Sequence, residues 1–138
     1  MQKHLINNWQ QQTIEYLEQK DFGNPDEAST PLIKRCIQLS KLPLNAFTAA
    51  HLRLMIGQGF ALQYLIPLAI KHLLHDLFTE TEYYPGDLLS EVLSVYPSFW
   101  KNHPQLWAEV HTLIAHQKAD LALHKIDTTL FEQAVAAM

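Results

Sequence analysis

Apolar residues return every three or four positions along almost the whole chain, and no stretch alternates strictly with a hairpin turn after it. That period belongs to helices with one face turned inward, so the pattern predicts an all-α protein. Ile6, Gln10, Thr13 and Leu17 line one side of a first, rather polar helix, which should stop near Asp21, where FGNPDEAS becomes a loop. Thr30 followed by Pro31 starts the next helix, because proline at the first helical position gives up no needed hydrogen bond. Its inner face is Leu32, Cys36 and Leu39 with Ile33 and Ile37, and KLPLN ends it. Thr48 is placed to cap a third helix carrying Leu52, Met55 and Ile56, which Gly57 and Gly59 break.

Residues 60–77 are apolar on nearly all sides, the mark of a helix buried in the middle of a domain. Pro67 lies inside that helix, where it removes a backbone bond and costs about 3 kcal/mol, and a kink is expected near residues 63–67. Leu88, Leu89, Val92 and Leu93 define a further helix ending before Pro97, and SFWKNHP makes a short turn with Phe99 and Trp100 as core plugs. Leu106, Val110, Leu113 and Ile114 mark a sixth helix, and a last one capped by Asp127 docks through Leu130, Ala134 and Met138. The expectation is one compact domain over residues 1–138, with six to seven helices around a proline-kinked central one.

Composition narrows the function classes. With 48% hydrophobic and 17% charged residues over 138 positions, the chain carries enough apolar side chain to fold without metal or disulfide. A net charge of −4 disfavours a nucleic-acid binder, which needs Lys and Arg against phosphates, and suits a basic protein partner. Cys36 is the single cysteine and sits on an apolar stripe, so it reads as a small buried hydrophobe. MQKHLINNWQQQ has no signal-peptide core, and FALQYLIPLAI is too short to span a bilayer, so a cytoplasmic protein without a membrane partner is expected.

Candidate chemistry is thin. His72 and His75 share one side of a helix with Asp76 beside them, the spacing a metal-dependent enzyme would use, but neither His111 nor His116 is selected as a third ligand. IGQGFAL lacks the lysine and the strand of a phosphate loop, and no serine stands in a nucleophile elbow. No enzyme, metal, cofactor or small-molecule substrate is expected. A different question comes from TETEYYPGDLLSEVL, where two tyrosines, a proline and a glycine precede an acidic helix. In one reading Pro85 and Gly86 make a turn, Asp87 caps the helix, and the tyrosines close a core; in the other the stretch presents rings and carboxylates to a partner.

Residues 52–100 carry a resemblance that bears on the choice. Arg53, Ile56-Gly57-Gln58, Leu65-Ile66-Pro67-Leu68-Ala69 and Tyr83-Tyr84-Pro85-Gly86-Asp87-Leu88-Leu89 occur in the order seen in a family of immunity proteins from bacterial contact-dependent growth inhibition systems, which this chain resembles. Ala61 stands where that family has a glycine, and Leu77 and Thr81 replace a proline and a glycine. The resemblance implies a small, cytoplasmic, non-catalytic protein that binds and neutralises the C-terminal toxin domain delivered by a neighbouring cell; an adaptor without a toxin is the other non-enzymatic reading. Many delivered toxins are basic nucleases, which an acidic chain meets with complementary charge. A motif shared by relatives with different toxins does not itself discriminate among them. Recognition is therefore expected from Glu80, Glu82, Tyr83, Tyr84 and Glu91 around Asp87, with the turn holding them in place.

Overall fold

A computed structural model describes residues 8–135, and the chain divides into two compact units, 1–51 and 52–138. The all-α expectation holds: nine α-helices are present among the described residues, with no strand beyond an isolated bridge between Glu80 and Pro85.

In the first unit the expected polar helix is broken into a 3-10 turn at Trp9–Gln11 and a short α1, Ile14–Glu18. Thr13 causes the break. Its backbone is extended and its Oγ1 accepts the Tyr16 N–H at 3.1 Å, which starts a new helix instead of continuing an old one. Ile6 lies outside the described residues. Helix α2, Pro31–Ser40, begins as expected, with Thr30 Oγ1 accepting from Ile33 N–H at 3.0 Å. Cys36, Ile37 and Leu39 are buried, but Leu32 and Ile33 are 44% and 45% exposed and do not join the inner face. Helix α2 packs against the 3-10 turn Pro25–Glu27 and against α1, and neither covers these two side chains. Burial pushes the Cys36 thiol up from its ordinary pKa, in keeping with an inert core position.

Helix α3, Ala49–Gly57, starts at Thr48 as the sequence indicates. Thr48 Oγ1 accepts from His51 N–H at 3.2 Å while His51 Nδ1 accepts from Thr48 N–H at 3.1 Å, a reciprocal cap. Helix α4, Leu62–His75, follows the turn at Gly59 and runs through Pro67 as one element. It packs against α5, Asp87–Leu93, and α7, Pro104–Ile114. Leu74 is 68% exposed, so the expectation of a helix enclosed on all sides is corrected: its last turn, with Lys71, His72 and His75, faces solvent.

The core of the second unit closes on rings. Phe99 and Trp100 from α6, Pro97–Asn102, are buried as expected. Trp100 meets Phe131 edge-on at 5.1 Å, and Trp107 stacks on Phe131 at 5.2 Å while its Nε1–H donates to the Phe131 carbonyl at 2.9 Å. Those contacts decide how α9, Thr129–Gln133, docks: Phe131 is fully buried, and of the expected anchors Ala134 is buried just after the helix whereas Leu130 is 47% exposed. Asp127 does not occupy the cap position; it accepts the Thr129 N–H one residue earlier, at 2.9 Å. The unforeseen α8, Lys118–Leu123, supplies Leu121 to the core. Met138 lies outside the described residues.

Ala61 precedes α4 with φ of 49°, in the left-handed region that disfavours a side chain. A non-glycine residue there costs about 1–2 kcal/mol, while glycine returns roughly 0.5–1 kcal/mol through the greater freedom of the unfolded chain. Ala61→Gly is therefore expected to raise stability by up to about 1 kcal/mol. Chemical denaturation checks this; a lower midpoint would mean that the buried methyl outweighs the strain.

Candidate functional site

The segment between α4 and α5 turns back on itself. Asp76 Oδ1 accepts from Phe78 N–H at 3.2 Å, Gly86 N–H points to the carbonyls of Phe78 and Thr79 at 3.0 and 3.1 Å, and Glu80 bridges to Pro85. The result is a tight hairpin with residues 81–84 at its tip. Gly86 is required twice over: its φ is 88°, and a Cβ there would lie 2.6 Å from Ile126 Cδ1.

Asp87 holds that tip. It is only 2% exposed, and it does not cap α5, whose cap position is Gly86. Instead its carboxylate reaches back. Oδ1 accepts from Thr81 N–H at 2.8 Å, and Oδ2 accepts from Thr81 Oγ1–H at 2.6 Å, Glu82 N–H at 3.1 Å and Tyr83 N–H at 3.0 Å. Burial alone would push the Asp87 carboxyl up, but the bonds from Thr81, Tyr83 and Glu82 together hold it below its ordinary value. The expectation of an N-cap is thus corrected, because the carboxylate serves amides before the helix and not those within it. Fully engaged and buried, Asp87 acts on the hairpin and not at its surface.

A second tie comes from α3. Arg53 is 9% exposed, with Nη2 3.5 Å from Glu82 Oε1 and Nη1 3.8 Å from Glu91 Oε2, and its guanidinium lies 4.6 Å from the centre of the Tyr83 ring. Its Nε is buried and has no acceptor among the described residues. Burial pushes the Glu91 carboxyl up; Arg53 pulls it down and Asp87 pushes it up, leaving it above its ordinary value. The charge of Arg53 is therefore divided between two carboxylates, neither held closely.

The six residues singled out in the sequence separate into three groups. Tyr83 and Tyr84 are 67% and 46% exposed, so they do not close a core. Glu80 is exposed at the base of the hairpin, whereas Glu82 and Glu91 are tied to Arg53. Asp87 is internal. Sequence reasoning missed the role of Arg53: it precedes Glu82 by 29 positions, and no local spacing links them. It also missed Gly57, where a Cβ would lie 2.9 Å from Glu91 Oε1. His72, His75 and Asp76 are exposed, and among the described residues no group of three or more His, Cys, Asp or Glu side chains is placed to hold a metal. No helix among them is long and apolar enough to cross a membrane.

The described residues thus form an all-α protein with two exposed tyrosines on a hairpin tied from beneath by Asp87 and Arg53. The profile of the family described as CDI immunity proteins matches residues 16–110, well over half of the chain and including Arg53, the hairpin and α5, and the chain belongs to that family. Proteins of this family are generally not enzymes, and membership implies a cognate toxin as partner. No curated protein and no solved structure matches the chain.

The Asp87 bonds predict a pH-dependent stability. A carboxyl held below its unfolded value, about 3.9, contributes fully above that pH and loses the contribution as pH falls through its folded value. Asp87→Asn, which sets an amide against inward-pointing N–H donors, is expected to cost roughly 2 kcal/mol or more at neutral pH. The gap between variant and parent should close on acidification below about pH 4. Denaturation curves at several pH values check this; a gap independent of pH would assign the loss to shape and not to charge.

Proposed function

We propose that this protein acts in the cytoplasm by binding the C-terminal toxin domain of a contact-dependent growth inhibition effector, and that this toxin is a basic nuclease met through the hairpin at residues 80–85. The observation that carries the reading is the state of the two tyrosines: they are exposed, yet Asp87 holds the backbone at both and Arg53 lies against the Tyr83 ring. Rings held ready for contact lose little freedom on binding, which is what makes tyrosine an effective anchor at interfaces. The net charge of −4 supports a basic partner, since complementary charge speeds encounter and rejects wrong partners. In this reading Glu80, Glu82 and Glu91 set the field, Tyr83 and Tyr84 make the contact, and Asp87 keeps the geometry. The partner is the toxin, with no nucleic acid, membrane or small molecule.

The test uses the cognate toxin domain. Tyr84→Ala is expected to weaken binding by about 2–4 kcal/mol, the range of interface anchors. Glu80→Lys, which breaks no ion pair among the described residues, should slow association at low salt and leave the melting temperature unchanged. Full affinity and full growth protection in both folded variants would move the interface elsewhere. A toxin that cleaves neither DNA nor RNA would remove the nuclease part of the reading.

A further inference from the structure

A pocket of about 190 Å³ opens between the turn that joins α3 to α4 and the C-terminal end of α5 with the residues after it. Its walls include Ile56, Leu62 and Val95, with half-exposed Tyr96 also lining it. The one charged group lining it is Glu91, whose side chain is 35% exposed. Gly57 adjoins that carboxylate, where a methyl would sit 2.9 Å from Oε1 and 3.1 Å from Cδ.

We infer that this pocket receives a lysine or arginine side chain of the toxin, with apolar walls along its methylene stem and the Glu91 carboxylate at its charged end. This rests on the reading of the chain as a toxin-binding protein and adds the chemistry of one contact. Three observations support it. The only ionic partner of Glu91 among the described residues is Arg53 at 3.8 Å, beyond hydrogen-bond reach, so the carboxylate's acceptor capacity is open. Arg53 also faces Glu82, so two carboxylates share one cation, and the Asp87 carboxylate adds repulsion at Glu91, leaving the cluster short of positive charge. The pocket has the division that long basic side chains fit, with apolar walls and a single anion, and without competing cations among its lining residues.

Glu91→Gln keeps the shape and removes the charge. It is expected to weaken binding of a catalytically inactive toxin domain by roughly 30-fold or more, mostly through faster dissociation, as for a partly buried interfacial charge pair. Gly57→Ala, which displaces the carboxylate, should weaken binding likewise. Because either variant also alters the ties of Arg53, a second measurement separates recognition from structure: each Lys and Arg of the toxin is substituted, and coupling with Glu91→Gln is measured by double-mutant cycles. One basic residue should lose its effect in the Glu91→Gln background, and the Glu91 carboxyl, followed by carbon NMR, should titrate at lower pH in the complex than alone. Tight binding by the parent with no coupled basic residue, or with Glu91→Gln within about two-fold of it, would overturn this inference and leave the proposed function standing. Failure of the parent itself to bind the toxin would instead overturn the proposed function and this inference with it.

Discussion

A carboxylate buried at 2% exposure must recover the hydration it gives up, and Asp87 does so with four donors, three of them backbone or hydroxyl groups at the hairpin tip on a single oxygen. Stripping an anion of water costs several kcal/mol, and hydrogen bonds to a charged group return about 1.5–3 kcal/mol each, so only a nearly complete set makes the position tenable. That requirement sets the conformation of the segment. Thr81, Glu82 and Tyr83 have to point their N–H groups inward together, which directs the chain outward at Tyr83 and Tyr84. The first position of α5 adds a favourable dipole end to the same carboxylate without engaging it as a cap. Gly86 completes the arrangement, since its positive φ would strain any other residue, whose Cβ would also press on the Ile126 side chain.

Arg53 contributes a different kind of constraint. Its contacts at 3.5 and 3.8 Å are too long for strong directed bonds. The guanidinium nevertheless sits under the Tyr83 ring and between two acids, so it balances charge that would otherwise repel across the hairpin and α5. Geometry is set by Asp87; charge is moderated by Arg53. Two carboxylates drawing on one cation leave the surface acidic without leaving it unsupported.

Helix type was legible because apolar spacing reports which face is buried, and the starts of α2 and α3 were legible because Thr30 and Thr48 act on amides three residues away. Where one local signal competed with another, the sequence misled. Thr13 lies on the apolar stripe and is also a good cap, and the cap prevailed. Asp87 has the composition of a cap, but amides to its N-terminal side claimed it first. Leu130 and Phe131 are both apolar neighbours, and only the rings of Trp100 and Trp107, brought from another part of the chain, choose between them. The tie from Arg53 to Glu82 and Glu91 joins residues far apart in sequence, so composition indicated an acidic patch without showing that part of it was already paired.

Two of the three departures from the family pattern, Ala61 and Thr81, gain a physical meaning in this setting. Ala61 keeps the left-handed conformation that a glycine would adopt at no steric cost, so the backbone route into α4 is preserved against a local penalty. Thr81 does the opposite: a glycine there would offer its N–H to Asp87, but threonine adds a hydroxyl bond of 2.6 Å to the same carboxylate. A substitution that tightens the tip while leaving Asp87, Pro85 and Gly86 in place changes how firmly the tyrosines are presented and not where they are. Such a scaffold separates two demands on an immunity protein, a stable loop and a surface that differs from one toxin to the next. The first rests on the inward-facing groups around Asp87; under the proposed toxin contact, the second falls to exposed side chains such as Glu80 and Tyr84, whose replacement disturbs none of the four bonds to Asp87.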